Sequence, residues 1–210
     1  MRGALVCVLL LGLGCSRPEK RVAEQPVAVK AGDRPRKTPS RSESDSAEGA
    51  GKTSVAVVVG AIAPPFRAKT KSGQDTSLDA LRGKIVILYF YPKDGTPGCT
   101  TEAQNFALIY KELTKAGAEL FGVSTDDPGS HSEFAEDLGL PFPLIADEGG
   151  ALGRAYGVST LFGMQERKSF LIDREGRVAK VYPNVDPAKH AEQVLADVLE
   201  LGRAAAGPSR

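Results

Sequence analysis

Cysteine and histidine are scarce in this chain of 210 residues, which has three cysteines and two histidines. No cysteine belongs to a C-x-x-C pair, since Cys99 is followed by Thr-Thr-Glu. This absence argues against a disulfide oxidoreductase of the two-cysteine type, which needs such a pair. His131 and His190 stand alone in the sequence, and we expect both on the solvated surface. The sequence therefore predicts no metal site, and we expect no cofactor.

Aromatic residues are absent before Phe66, although 13 of them follow from that position onward. Residues 16–54 are in addition rich in Pro, Ser, Gly and charged side chains. Such a segment cannot bury enough apolar surface to offset the entropy of ordering the chain. We predict a disordered linker over residues 16–54. The net charge of the whole chain is only +1, which gives no indication of a nucleic-acid partner.

A long apolar run is also missing, because the one at the start ends near residue 14. A membrane-spanning helix needs about 20 apolar residues. Arg2, the short apolar stretch and the small residues that follow instead indicate an export signal over residues 1–15. A buried N-terminal helix is the alternative, and the disordered-looking segment directly after it argues against that interpretation.

The end of this segment, Leu13-Gly14-Cys15-Ser16, resembles the lipobox of bacterial lipoproteins. The resemblance implies that Cys15 is lipidated and becomes the mature N-terminus; plain secretion is the alternative. Gly12 occupies the position where that family usually has leucine. We expect the protein in the cell envelope or periplasm, anchored by lipid to a bacterial membrane. Ser16 after the cysteine favours the outer membrane by the same resemblance.

Strand-like and helix-like segments alternate from residue 55 onward. This order predicts one α/β domain over residues 55–205, with a mixed, mainly parallel central sheet, helices on both faces and a flexible tail at 206–210. Apolar residues fill 85–91, as expected of a central strand that is buried on both faces. The predicted strands are 55–59, a hairpin within 66–78, 85–91, 120–124, 142–146, and a second hairpin formed by 169–172 and 177–182. The predicted helices are one around 103–110 that stops at Gly117, then 130–138, 151–156, and 187–201 with Asp186 as its N-cap.

Cys99 follows the central strand and lies in the first turn of the next predicted helix. The unpaired N–H groups and partial positive charge at a helix N-terminus favour a thiolate, which is the nucleophilic form of cysteine. Thr96 adds a hydroxyl that can donate and accept hydrogen bonds, and Pro92 can shield the pocket with its apolar ring. A buried, inert cysteine is the alternative. The surrounding Pro-Gly loop argues against deep burial.

The segment Pro92-Lys93-Asp94-Gly95-Thr96-Pro97-Gly98-Cys99 matches PxxxTxxC, the pattern of the peroxiredoxins. The longer string YFYPKDGTPGCTTE is similar to the Q-type, or bacterioferritin-comigratory, branch of that family. Three further segments resemble the family in the same order: GAIAPPF at 60–66, GVSTD at 122–126 and RKSFLID at 167–173. The resemblance as a whole extends over nearly all of residues 58–200.

The resemblance implies a thioredoxin-like fold and reduction of hydrogen peroxide or organic hydroperoxides by Cys99. By the same resemblance, Thr96, Arg167 and backbone N–H groups near Gly98 would hold the peroxide oxygens. Glu102 matches a family position that orients the arginine. For Arg167 the alternative is a surface ion pair with Glu166 or Glu175. An exposed carboxylate in the first helical turn is the alternative for Glu102.

The sequence departs from many Q-type members at Gln104, where they have a second, resolving cysteine. No cysteine follows Cys99 anywhere in the chain. The resemblance then implies a one-cysteine enzyme that needs an external thiol reductant, either a thioredoxin-like protein or a small thiol. We expect a monomer or weak dimer. The alternative function is an envelope binding module that keeps the fold without peroxidase turnover. That alternative predicts decay of Pro92, Thr96, Cys99 or Arg167, and all four are intact.

Overall fold

The computed structural model describes residues 57–205 of the chain. The predicted export signal at 1–15, the linker at 16–54, and the tail at 206–210 lie outside the described residues. The strand predicted at 55–59 begins outside them as well, and residues 57–59 form a loop and a turn rather than a strand. None of the helices within 57–205 has the length and apolar content required to cross a membrane.

Nine strands and four α-helices occur in the described part of the chain. The strands are β1 (Arg67–Lys69), β2 (Asp75–Ser77), β3 (Ile85–Phe90), β4 (Ala118–Ser124), β5 (Leu144–Ala146), β6 (Thr160–Leu161), β7 (Met164–Gln165), β8 (Lys168–Ile172) and β9 (Val178–Tyr182). The helices are α1 (Pro97–Lys115), α2 (Pro128–Asp137), α3 (Ala151–Ala155) and α4 (His190–Ala205).

A five-stranded sheet with the order β5-β4-β3-β8-β9 forms the centre of the fold. Strands β3, β4 and β5 are parallel to one another, whereas β8 and β9 run antiparallel to their neighbours. The predicted α/β class with a mixed sheet is confirmed. The sheet has equal numbers of parallel and antiparallel strand pairs, whereas a mainly parallel sheet was predicted. The predicted central position of β3 is also confirmed, and all six of its residues are buried.

Both faces of the sheet are covered. Alternate residues of β3 point to opposite faces, so that Ile87 and Tyr89 join one apolar cluster while Leu88 and Phe90 join the other. Helices α1, α2 and α4 contribute to the first cluster, and α3 packs against the second. The predicted inward-facing residues are found in or against the first cluster; they are Ala103, Phe106, Ala107 and Tyr110 of α1, and Ala191, Val194, Leu195 and Val198 of α4.

Two local features differ from the sequence-based expectation. Helix α4 begins at His190 rather than at 187, because residues 187–189 form a turn. Asp186 still caps this start, since its Oδ1 accepts the N–H of Ala188 and its carbonyl oxygen accepts the N–H of His190. The small hairpin of β6 and β7 was not predicted, because two-residue strands are too short to show a periodic pattern.

Both histidines are buried, so the predicted surface positions are wrong. His131 is 5% exposed and His190 is 1% exposed. One ring nitrogen of each histidine forms a hydrogen bond inside the protein. His131 bonds to the carboxylate of Asp94, and His190 bonds to the hydroxyl of Ser169. The helical spacing contained a usable signal, because His190 precedes the inward-facing Val194 by four residues.

The buried ring of His190 generates a prediction about stability and pH. Burial, together with the positive charge of Arg167, lowers the pKa of His190 from 6.5 to about 4. Between those values the unfolded chain binds a proton that the folded chain does not, so this group reduces the free energy of unfolding as the pH falls. The full effect is about 3 kcal/mol, since one pKa unit is worth about 1.4 kcal/mol.

Urea unfolding of the full chain at about pH 7 and about pH 4 measures this effect. We expect the wild type to lose about 2–3 kcal/mol more over this interval than His190→Gln, whose amide can still bond Ser169 but does not titrate. Equal losses in the two proteins would contradict the prediction.

Candidate active site

The loop between β3 and α1 presents Cys99 at the edge of the sheet. Helix α1 starts at Pro97, with Thr96 in extended conformation as the N-cap residue, and Cys99 is its third residue. The first N–H groups of a helix have no acceptor within it, so those of Gly98 and Cys99 can interact with negative charge. The hydroxyl of Thr96 donates to the carbonyl oxygen of Lys93 at 3.1 Å.

Cys99 is only 1% exposed and belongs to the apolar cluster that contains Tyr89, Tyr91 and Phe106. The expectation that the Pro-Gly loop would prevent deep burial is therefore wrong. Cys99 is buried because it lies on the same face of α1 as Ala103 and Phe106, which belong to this cluster. Burial alone would fit an inert cysteine, and the polar partner of the sulfur decides between the two interpretations.

That partner is Arg167, whose Nη2 donates to Cys99 Sγ at 3.1 Å. The two residues meet because β8 pairs with β3 in the register Phe90↔Lys168, which places residue 167 beside the end of β3. A cationic donor at this distance stabilises negative charge on the sulfur. The electrostatic arrangement therefore suits a thiolate.

Glu102 holds the other side of the same guanidinium, with its Oε2 accepting from Arg167 Nη1. The alternative of an exposed carboxylate is wrong, because Glu102 is completely buried. Burial raises the pKa of Glu102 to about 7, and the adjacent guanidinium opposes this increase. Its second oxygen, Oε1, has no hydrogen-bond partner among the described residues. Arg167 is thus held by a carboxylate that is itself completely buried.

A surface ion pair is accordingly not what Arg167 forms. Its carboxylate partner is Glu102, whereas Glu166 approaches Lys168 and accepts the N–H of Ser159. Burial alone would lower the pKa of Arg167, but Glu102 and Cys99 outweigh burial and raise it above the ordinary value. The guanidinium therefore remains charged beside the sulfur.

Gly98 and Pro92 complete the immediate surroundings. A Cβ atom at Gly98 would lie 3.4 Å from Arg167 Nη2, so the absence of a side chain leaves room for the guanidinium. Pro92 is half-buried and follows the last residue of β3 by two positions. A surface cavity of about 550 Å³ is lined in part by Arg167, Asn184 and Asp186.

The structure thus brings together Cys99, Arg167, Glu102 and Gly98, with Thr96 and Pro92 in the adjoining loop. Gln104, at the position where a resolving cysteine was considered, is exposed on α1. Cys15, the predicted lipidation residue, lies outside the described residues.

A polar cluster that was not predicted from the sequence lies beside this loop and is formed by buried and half-buried residues, namely Tyr91, Asp94, Ser124, Asp126, Ser130 and His131. Ligand atoms of Asp94, Asp126 and His131 lie within 4.8 Å of one another, a spacing that a metal ion could use. The facing oxygens already accept hydrogen bonds inside the cluster, however, so it is built as a hydrogen-bond network. Its signal in the sequence was the aspartate two residues before Thr96.

Comparison with known proteins identifies relatives over most of the described chain. A family model described as AhpC/TSA matches residues 59–181. Chloroplastic peroxiredoxin Q of Gentiana triflora is 42% identical over 139 residues, or 65% of this chain and 64% of that protein. The chain thus spans slightly less than two thirds of this relative's length. Chloroplastic peroxiredoxin Q of Sedum lineare is 43% identical over 66% of this chain and 76% of that protein.

A solved structure is similar as well. The bacterioferritin comigratory protein of Xanthomonas campestris, described for its alkyl peroxide reduction activity, is 38% identical with a TM-score of 0.59. The match covers 65% of this chain and 92% of that one. The thioredoxin-like fold expected from the sequence is confirmed by this similarity and by the arrangement of the sheet.

The contact between Arg167 and Cys99 generates a prediction about thiol reactivity. Arg167→Ala should slow the alkylation of Cys99 by iodoacetamide at neutral pH by about 10- to 100-fold, because a hydrogen bond to a charged group is worth about 1.5–3 kcal/mol. Arg167→Lys keeps the charge but loses the planar two-sided geometry, so its alkylation rate should lie between those of the wild type and Arg167→Ala. Mass spectrometry of quenched samples gives the rates.

Arg82→Ala is the matched control, since this arginine pairs with Asp79 on the surface. It should react at the wild-type rate. An Arg167→Ala protein that is alkylated as fast as this control would show that the guanidinium does not activate the sulfur.

Proposed function

The chain belongs to the AhpC/TSA family and, within it, to the peroxiredoxin Q group, and from this premise we propose that it is a thiol-dependent peroxidase with Cys99 as the peroxidatic residue. The observation that carries the proposal is the 3.1 Å contact between Arg167 Nη2 and Cys99 Sγ. A buried cysteine of purely structural function has no need of a cationic partner fixed by a buried carboxylate. The substrates are hydrogen peroxide and organic hydroperoxides.

The reaction begins with attack of the Cys99 thiolate on the terminal oxygen of the hydroperoxide. The sulfur–oxygen bond forms while the oxygen–oxygen bond breaks, and the leaving oxygen takes a proton to become water or an alcohol. Cys99 is left as a sulfenic acid, the first stage of thiol oxidation. The peroxide is reduced by two electrons and the sulfur is oxidised by two, so the step is balanced.

Arg167 acts on the charge that moves during this step. Negative charge passes from the sulfur to the leaving oxygen, and a fixed guanidinium can stabilise both positions without reorganising. The first N–H groups of α1 and the hydroxyl of Thr96 complete the set of groups that hold the peroxide oxygens. Glu102 keeps the guanidinium in place, and Pro92 shields the sulfur from the solvent.

Reduction of the sulfenic acid requires a thiol from outside the domain. Cys99 is the only cysteine within residues 57–205, and Gln104 occupies the position of a resolving cysteine. An external thiol, from a thioredoxin-like protein or a small molecule, condenses with the sulfenic acid to give a mixed disulfide and water. A second thiol then releases Cys99. This cycle needs no second subunit, so a monomer or weak dimer suffices.

The protein would work in the cell envelope, tethered through lipidated Cys15 to a bacterial membrane, preferably the outer one. The lipobox-like residues 13–16 and the short apolar run before them support this proposal. Residues 16–54 would separate the peroxidase domain from the membrane. The alternative of a binding module without turnover has no support, because Pro92, Thr96, Cys99 and Arg167 are all present.

The assignment of Cys99 predicts the behaviour of two cysteine variants. In the full chain, Cys99→Ser should consume no peroxide when mixed with an equimolar amount, because the only thiol within residues 57–205 is gone. Cys15→Ser is the matched control and should form the sulfenic acid on Cys99 at the wild-type rate. Peroxide loss and intact mass measure both outcomes. Turnover retained in Cys99→Ser would overturn the assignment.

The anchor predicts which disulfides can form. A flexible linker of the length of residues 16–54 spans about 35 Å, so a free Cys15 thiol could reach Cys99 and act as a resolving residue. Lipidation prevents this, because the sulfur of Cys15 becomes a thioether. Non-reducing peptide mapping of protein purified from membranes of its own cells should show lipid on Cys15 and no Cys15–Cys99 bridge. An abundant bridged peptide would contradict both the anchor and the one-cysteine cycle.

A further inference from the structure

The loop that carries Thr96 is tied to a second part of the chain, the connection between β4 and α2, by two carboxylates. Asp94 belongs to the loop, and Asp126 belongs to the connection. These residues are distant in sequence, yet they meet because β3 and β4 are parallel neighbours whose carboxyl ends lie at the same edge of the sheet.

The side chain of Asp94 is 6% exposed and accepts three hydrogen bonds. Tyr91 donates its hydroxyl at 2.7 Å, Ser130 its hydroxyl at 2.7 Å, and His131 its Nδ1 at 2.8 Å. Burial alone would raise the pKa of Asp94, but the three donors lower it, and the carboxylate in turn raises the pKa of His131. An ionised acceptor therefore joins the loop to the first turn of α2.

The second tie fixes one peptide unit of the loop, the one that joins Lys93 to Asp94. Its N–H donates to Asp126 Oδ2 at 2.9 Å, and its carbonyl oxygen accepts the hydroxyl of Thr96 at 3.1 Å. The N–H and C=O of a trans peptide point in opposite directions. Asp126 thus determines which way the carbonyl faces, and the carbonyl determines where the proton of Thr96 points.

The intervening Gly95 makes this arrangement possible. It has a φ of 69°, a left-handed conformation that glycine adopts without strain. The chain reverses at this residue, which brings the hydroxyl of Thr96 back to the carbonyl group of residue 93. Asp126 itself is held by the hydroxyl of Ser124 at 2.7 Å.

We propose that Asp126, supported by Asp94, is a positioning residue that orients the 93–94 peptide unit and, through it, the hydroxyl of Thr96. This inference rests on the proposed peroxidase function and deepens it. Without Asp126 the N–H of the peptide unit loses its acceptor, so the orientation of the unit and of the Thr96 hydroxyl is less restrained and the peroxide is less well aligned with the sulfur. The attack itself remains possible, but it occurs from a wider range of geometries and is slower.

A double-mutant cycle with Thr96 distinguishes this indirect action from a general structural effect. The measured quantity is the second-order rate of sulfenic acid formation on Cys99 of the full chain under single-turnover conditions. Asp126→Ala should lower this rate by about tenfold or more, the factor for one hydrogen bond of about 1.4 kcal/mol. In the Thr96→Val background the same change should alter it by less than about twofold, because no hydroxyl remains to be oriented.

Three further variants make the test independent of folding. Asp126→Asn keeps an acceptor oxygen and should retain most of the rate. Asp94→Asn should slow the reaction in the Thr96 background but not in the Thr96→Val background. Asp197→Ala is the matched control, because Asp197 accepts from the hydroxyl of Tyr182 and from Lys180, each at 2.7 Å, at a site without contact to the loop. It should lose stability but not rate.

Three results would overturn the inference that Asp126 acts through Thr96. Slowing by the same factor in both backgrounds would show that Asp126 does not act through Thr96 and would overturn the inference. Slowing of Asp197→Ala by as much as Asp126→Ala would also overturn it, by attributing the loss to stability. A wild-type protein that reacts with peroxide no faster than a free thiol would overturn the proposed function itself, and this inference with it.

Discussion

The contact between a buried sulfur and a fixed guanidinium is the interaction on which the rest of the site depends. Cys99 is shielded from water, so negative charge on its sulfur is stable only beside a partner such as Arg167. That partner is useful only if it cannot turn away, and the buried carboxylate of Glu102 prevents this. The three groups therefore depend on one another, because Arg167 stabilises negative charge on Cys99 and Glu102 holds Arg167 in place.

The mixed sheet explains how these groups meet. Parallel strands β3 and β4 end at one edge, which places Asp94 and Asp126 there. Strand β8 runs antiparallel to β3, so it begins at that same edge, and Arg167 lies immediately before its first residue. A sheet with only parallel strands would have delivered the arginine to the opposite edge. The antiparallel pairing therefore positions the candidate site as well as forming part of the fold.

Much of this architecture could be predicted from the sequence, because long apolar or periodic segments report burial directly. The seven apolar residues at 85–91 indicated the central strand, and the helical spacing of Ala103, Phe106 and Tyr110 indicated the face of α1. The β6–β7 hairpin and the start of α4 could not be placed, because a segment of only a few residues shows no hydrophobic periodicity. The partners of Arg167 and Thr96 became visible only in three dimensions.

The burial of polar and charged side chains was the property least predictable from the sequence. Glu102 and Asp94 are of types that usually lie at the surface, and histidine, the type of His131 and His190, is intermediate. Each is buried here because another segment supplies a partner, and that segment is distant in the chain; for Glu102 the partner is 65 residues away. Cys99 illustrates the same limit, since its Pro-Gly surroundings suggested access while the packing of α1 buries it.

Glu102 Oε1, which has no hydrogen-bond partner among the described residues, has a consequence for how the sequence of this protein can evolve. A fully buried carboxylate with one unpartnered oxygen opposes folding, and buried ion pairs can often be replaced by apolar residues with a gain in stability. Selection for stability alone would therefore favour apolar replacements of Glu102 and Arg167 together, since removing only one partner leaves the other charge unpaired. A lineage that keeps the pair accepts a less stable fold in exchange for the activation of Cys99 that we propose, so stability and reactivity compete at these two positions.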